Sequence, residues 1–238
     1  MKKATAVLLT LLFITATFAQ KRIKGNGNVV TIERTTNDYD GIAVSGFYEV
    51  ELVNGQEGNL TLRGENNILD HIETEVKSGT LYIKSIRNKT LIPSRGEGVF
   101  ITIPVDEIDL IRLSGSGNFI GKKTLRTNRL DIQVSGARNI DLTVETEYVS
   151  VQTSGSSNIR VKGNSEELRV RSSGSSNVKA FDLEVNKATF ELSGSSDVET
   201  TVNESLVSRV SGSGNIRYKG NPKKINTKTS GSGNVSRN

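Results

Sequence analysis

The chain has 238 residues, of which 34% are hydrophobic, 24% charged and only 5% aromatic, with a formal net charge of +5 and no cysteine or tryptophan. The absence of cysteine excludes a disulfide scaffold, a thiolate nucleophile and a lipid-bearing N-terminal thiol, so stability must come from hydrogen-bonded sheet and apolar burial. Charges of both signs alternate along the chain, without the concentrated basic stripe and interleaved aromatics of a nucleic-acid binder.

Residues 1–19 read as a secretory signal peptide. Lys2 and Lys3 form a short basic region, Ala4 to Phe18 is uncharged and apolar or small, and Thr17 and Ala19 place small residues before a cut at Gln20. The apolar stretch is shorter than the roughly 20 residues a spanning helix needs. Cleavage removes two lysines and lowers the net charge to +3. The mature chain is expected to be exported without a transmembrane segment, to the periplasm, the cell surface or the medium.

Residues 20–110 form an irregular β region, continuous with the rest or packed on it. Ile42, Val44, Val50 and Leu52 alternate around Ser45-Gly46, and Leu60, Leu62 and Ile68 are placed similarly around Gly64. From Asn66 to Val76 the apolar residues stand at 68, 69, 72 and 76, a helical spacing with Asn66 or Asn67 available as a cap. One short helix is therefore expected there. Leu81, Ile83, Val99, Ile101 and Ile103 return to strand alternation, separated by a polar loop, Arg87–Gly98, that contains Pro93.

Residues 111–238 carry the strongest pattern, a unit Ser-Gly-small-x-Asn/Asp-apolar repeated seven times. Its glycines, Gly115, Gly136, Gly155, Gly174, Gly194, Gly212 and Gly231, lie 18 to 21 residues apart. A fixed period near 20 marks stacked supersecondary units that are not stable singly. Apolar residues alternate with polar ones on both sides of each unit, as in Leu130, Ile132 and Val134 before Gly136 and Ile140 and Leu142 after it. Period two is the strand signature. The expected fold is all-β, a parallel β-helix-like solenoid of coils of about 20 residues, with a β-sandwich or a propeller as rivals. Propeller blades need about twice this period.

Stacking such coils at about 4.8 Å places like residues in ladders. The Asn/Asp position gives Asn118, Asn139, Asn158, Asn177, Asp197, Asn215 and Asn234. Amides so stacked can donate and accept along the axis, which favours an internal structural ladder. The alternative is a row of amides offered to a glycan or to calcium. The Ser-Gly bend fits a corner in which a Cβ would be crowded.

Catalytic patterns are sparse. Gly115, Gly117 and Gly121 brush against a dinucleotide fingerprint, but a strand follows where a helix is required. His71 is the only histidine, so any triad or histidine metal site would need it, and a solvated helix face is the simpler reading. Asp131, Asp141, Asp182 and Asp197 are the acidic candidates for glycoside chemistry, scattered among coils and interleaved with Lys and Arg. A cleft that breaks the repeat would most naturally use Arg87–Gly98. No catalytic residue, cofactor or metal is assigned.

Three stretches together resemble the head GIN domain family, a group described as auto-transporter adhesins of bacteria. They are Asp40-Gly41-Ile42-Ala43-Val44-Ser45-Gly46-Phe47-Tyr48-Glu49-Val50, Asn67-Ile68-Leu69-Asp70-His71-Ile72, and the Ser-Gly-Ser-Gly-Asn units followed by Tyr218-Lys219-Gly220-Asn221-Pro222. The resemblance implies an exported β-solenoid of the cell envelope and supplies no catalytic or ligand residues. The sequence closes on Val235-Ser236-Arg237-Asn238 inside the last unit, so a head without its membrane barrel is expected. The function read from the sequence is a non-enzymatic, adhesin-like binding module whose partners are extracellular polysaccharide or an envelope protein, with no nucleic acid. The alternatives are a carbohydrate-active lyase or hydrolase on a β-helix, and a structural envelope protein.

Overall fold

The computed structural model describes residues 21–238, and the signal peptide read over residues 1–19 lies outside them. The first part of the chain contributes β1 (Lys21–Lys24), β2 (Val29–Thr35), β3 (Gly41–Gly46), β4 (Glu49–Asn54), β5 (Asn59–Glu65), α1 (Asn66–Leu69), β6 (Ile72–Lys77), β7 (Thr80–Ser85), β8 (Lys89–Ile92) and β9 (Phe100–Val105). The rest is β10 (Leu110–Gly155), β11 (Asn158–Gly174), β12 (Asn177–Gly194), β13 (Asp197–Gly212), β14 (Asn215–Lys219), β15 (Lys224–Gly231) and β16 (Asn234–Arg237). The fold is all-β, a parallel β-solenoid. β10 pairs with β11, β11 with β12 and β12 with β13 in parallel, each glycine of the repeat opposite its equivalent in the next coil. Alternation does the sorting: Ile132, Val134, Ile140 and Leu142 face the interior, while Asp131, Gln133 and Asn139 face outward. The core is thus a narrow apolar column along the axis.

Coil order in space departs from coil order in sequence. β3 pairs with β10 on one side and β7 on the other, and β4 lies likewise between β10 and β9, all in parallel. The coil built from β3 and β4 is therefore sandwiched between residues 110–121 and the coil built from β7 and β9. The chain lays down an inner coil, passes outward to make the next one, and returns over the first to begin the regular stack.

The one short helix expected in this region is present but covers only the start of its apolar pattern, and one bend assignment is corrected. The helix expected over residues 66–76 is only α1, capped by neither asparagine; residue 65 precedes it in extended conformation. Ile72, Thr74 and Val76 also fit a period of two, and pairing decides the ambiguity: β6 runs antiparallel to β7. Ser78 and Gly79, both with positive φ, make the two-residue turn between them. Gly64, read as a bend equivalent, lies within β5, which is antiparallel to both β9 and β2. β5, β2 and β6 thus cover the outer edge of the β7–β9 coil, where unpaired backbone would invite another strand.

A buried carboxylate ties the small β1–β8 sheet to this cover. Glu65 is 1% exposed. It accepts hydrogen bonds from the Ser94 hydroxyl (2.6 Å), the Ser94 amide (2.8 Å) and the Gly27 amide. Gly25 passes so close that a Cβ there would stand 1.9 Å from the carboxylate. The Ser94 hydroxyl, with help from the two amides and against the cost of burial, holds the Glu65 pKa below the ordinary glutamate value. A carboxyl with a depressed folded-state pKa stabilises the fold above its unfolded-state pKa and loses that contribution as pH falls through the folded value. Glu65→Gln is therefore expected to lower the urea midpoint at pH 7 and to narrow its gap to the wild type as the medium is acidified. Midpoints measured at neutral and acid pH check both.

Candidate functional site

The Ser-Gly bend sets the geometry of everything exposed beside it. Its seven glycines have φ between +88° and +132°. A Cβ on any of them would stand 2.3–2.5 Å from the carbonyl oxygen of the glycine one coil earlier. For Gly115 that earlier glycine is Gly46. The crowding is thus along the axis, backbone against backbone, and both the space and the backbone conformation exclude a side chain.

Two residues past each glycine, the chain points a side chain inward. In coil order this column is Tyr48, Gly117, Arg138, Ser157, Ser176, Ser196, Gly214 and Gly233. The three serines are at most 1% exposed. Ser176 Oγ lies 2.6 Å from Thr153 Oγ1, accepts from the Ser157 amide (3.3 Å) and donates to the Gly155 carbonyl (3.4 Å). Ser196 repeats the pattern with Ser172, Ser176 and Gly174. These hydroxyls satisfy the backbone groups that the bend turns away from the ladder. Arg138 fills the same position with a buried guanidinium that donates to the carbonyls of Tyr48 (2.9 Å), Gly46 (2.7 Å) and Ser114 (2.9 Å). Burial pushes its pKa down. It reaches across Gly117, where a Cβ would lie 3.2 Å from Nη1. The sequence carried a trace of this column in the small or serine residues at that position, but the repeat unit left it unspecified.

One residue further on, the asparagines face outward. Asn139, Asn158, Asn215 and Asn234 are exposed, and Asn118, Asn177 and Asp197 half-buried. The ladder is on the surface, and the internal role expected for it belongs to the serine column. Nδ2 of Asn139 donates to Asn118 (2.9 Å), Asn158 to Asn139 (3.1 Å) and Asn177 to Asn158 (3.1 Å). Asn215 donates to Asp197 through both its backbone amide and its side chain. The bend glycines line up along the neighbouring edge. A shallow recess of about 210 Å³ lies over Asn118, Asn139 and Asn158, flanked by Asp141, Arg160 and Lys179.

On the other side of the bend a larger groove of about 850 Å³ runs along the axis. One row of its lining is the residue just before each glycine: Ser45, Ser114, Ser135, Ser154, Ser173, Ser193 and Ser211. Lys84, paired in register with Ser45, ends the row. The second row lies two residues earlier and includes Tyr82, Arg112, Gln133, Gln152, Arg171, Glu191 and Arg209. Arg112 Nε donates to Gln133 (3.3 Å). Glu191 holds Arg169 (2.9 Å) and Arg171 (3.1 Å), which keep its pKa low. In the sequence these serines mark only the bend; the parallel register between coils is what brings them into one row of the groove.

The acidic candidates do not converge. Asp131 pairs with Arg129 (2.7 Å) and Asp141 with Lys162 (3.1 Å), while Asp197 serves Asn215 and Asp182 is solvent-exposed. His71 follows α1, with Nδ1 2.9 Å from the Asn67 carbonyl. Within Arg87–Gly98, Lys89–Ile92 forms β8 and Ser94 is the partner of Glu65. Gly115 and Gly117 sit within β10, with strand on both sides. Among the described residues no group of three or more His, Cys, Asp or Glu could hold a metal ion. No helix among them is long and apolar enough to cross a membrane.

The family model described as "Putative auto-transporter adhesin, head GIN domain" matches residues 38–222. Among solved structures, a putative adhesin of Bacteroides fragilis superposes with a TM-score of 0.79 at 24% identity, covering 91% of this chain and 100% of that one. A putative adhesin of Parabacteroides merdae gives 0.70 at 19%, covering 92% and 99%. A protein of Parabacteroides distasonis described as a putative lipid binding protein gives 0.69 at 27%, covering 92% and 100%. No curated protein matches this chain.

The columns differ in how much stability they carry. Gly155→Ala is expected to cost about 2–3 kcal/mol, from a side chain forced into positive φ against the Gly136 carbonyl. Ser176→Ala should cost ~1–3 kcal/mol because it strands buried polar groups. Asn158→Ala, on the surface, should cost under about 1 kcal/mol. Urea denaturation of the three variants orders them, and an Asn158 variant as damaging as the glycine variant would contradict the outward placement of the ladder.

Proposed function

The chain belongs to the head GIN domain family, and from that premise we propose that it is an exported, non-enzymatic, adhesin-like binding module of the bacterial envelope that holds an extended polysaccharide along its axial groove. The observation that carries this reading is the groove's repetition. Seven coils each place a serine hydroxyl on one row, and in five of them the neighbouring row offers an amide or a guanidinium group, with Ala43 and Glu191 in the other two. Successive rungs are about 4.8 Å apart, comparable to the length of one pyranose unit, so an extended glycan would meet similar partners at each step. Weak polar contacts repeated along one rigid ligand add through multivalency. The groove also lies on the face of strands already paired on both sides, so added peptide strands have no free backbone to pair with there. Glu191, the one carboxylate lining the groove, is held by Arg169 and Arg171 and has no second carboxylate in the lining to form an acid–base pair, which favours holding a glycan over cleaving it.

Retention of the protein on cellulose, chitin, xylan and pectin, with reducing ends followed over time, tests this. Binding to at least one polysaccharide without release of reducing ends is expected. Ser154 is exposed in the groove, so Ser154→Trp should obstruct it and weaken binding by about tenfold or more, roughly 1.4 kcal/mol, with an unchanged thermal midpoint. Release of reducing ends would overturn the non-enzymatic reading. Retention by phospholipid vesicles in place of any glycan would transfer the groove to a lipid, the ligand class in the description of the Parabacteroides distasonis protein.

A further inference from the structure

We infer that the groove's ligand is an acidic polysaccharide, held toward the two ends of the groove by exposed cations, three of which have no carboxylate partner among the described residues; this deepens the glycan reading and rests on it. The groove's charge is uneven. In its middle, Gln133 and Gln152 are uncharged, and Arg171 is neutralised by Glu191, which also holds Arg169. Toward one end stand Arg112, whose one side-chain hydrogen bond among the described residues runs to an amide, and, two coils further out, Lys84, whose contact with Glu73 is long (3.6 Å) and half-exposed at both partners. At the other end stands Arg209, with Lys228 beside it in register. Neither Arg112, Arg209 nor Lys228 has a carboxylate partner among the described residues.

The two cationic ends are far apart. From Arg112 the row passes through Gln133, Gln152, Arg171 and Glu191 to Arg209, five coil steps or roughly 24 Å. One small anion cannot engage both ends. A polymer can, provided that it is extended, hydroxyl-rich to suit the serine row and anionic at intervals. A chain of uronic acids has that chemistry: ring hydroxyls for Ser135, Ser154 and Ser173, and carboxylates for the guanidinium groups. Arginine suits carboxylates because its planar fork can donate two parallel hydrogen bonds.

Calorimetric titration of the whole protein with octagalacturonate, trigalacturonate, neutral maltooctaose and an oligothymidylate provides the test. Octagalacturonate is expected to bind at least about tenfold more tightly than the trimer, which cannot span both ends, and than maltooctaose. Its affinity should fall as salt rises, since these cations are exposed. Arg112→Gln combined with Arg209→Gln should weaken it by about tenfold or more while leaving the thermal midpoint unchanged. Equal affinity for maltooctaose and octagalacturonate would overturn the acidic assignment and keep the glycan groove. Failure to bind octagalacturonate would overturn the acidic assignment, while the glycan groove itself falls only if cellulose, chitin, xylan and pectin also fail to retain the protein. Equal affinity for oligothymidylate, or octagalacturonate binding unaffected by Ser154→Trp, would reduce the effect to general attraction of polyanions and overturn the inference.

Discussion

Each coil turns at a glycine whose missing Cβ is replaced by the carbonyl oxygen of the glycine one coil earlier. That contact fixes the register between coils, because a slip of one residue would set a side chain against that carbonyl and turn every inward residue outward. With the register fixed, each offset from the glycine becomes a continuous column. The residue two places on becomes the buried serine network, the next the surface amide ladder, and the residue before the glycine the hydroxyl row of the groove. The same constraint therefore determines both the interior and the surface available to a ligand.

Arg138 shows how the column logic absorbs an exception. A guanidinium is costly to bury unless its donors are used. Here it spends two nitrogens on three carbonyls drawn from two other coils, over a glycine that leaves room for it. It joins the regular stack to the coil of β3 and β4, at the place where sequence neighbours cease to be spatial neighbours. The N-terminal strands then close that end: β5 and β6 pair antiparallel with β9 and β7 of the outer coil, β2 pairs antiparallel with β5, and Glu65 ties residues 25–27 and 94 against them.

The regular half was legible because its chemistry is periodic. Alternation around Gly136 and Gly155 implies strands, and a spacing near 20 implies stacking. The irregular half was only partly so. Ile68, Leu69, Ile72 and Val76 suit a helix as well as they suit a turn of helix followed by a strand, and only the pairing with β7 separates the two. Gly64 resembles a bend glycine in its flanking residues, yet it belongs to an antiparallel strand whose partner, β9, is far along the chain. Sandwiching of the β3–β4 coil between later segments leaves no local trace. At the site, the asparagine row was visible as a row, but its facing was not, because one residue of offset separates inside from outside at a bend. Nothing in the sequence around Arg138 marks it as buried, since the room for its guanidinium comes from Gly117 in another coil.

Under the proposed function, ligand recognition lies on the serine side of the bend and not on the asparagine side. The most direct measurement is residue-resolved amide chemical shifts of the isotopically labelled protein during titration with octagalacturonate. On this reading the shifts expected are concentrated along Ser114, Ser135, Ser154, Ser173 and Ser193, with the amides of Asn139, Asn158 and Asn177 nearly still. Shifts concentrated on those asparagines, or spread evenly over both faces, would contradict it.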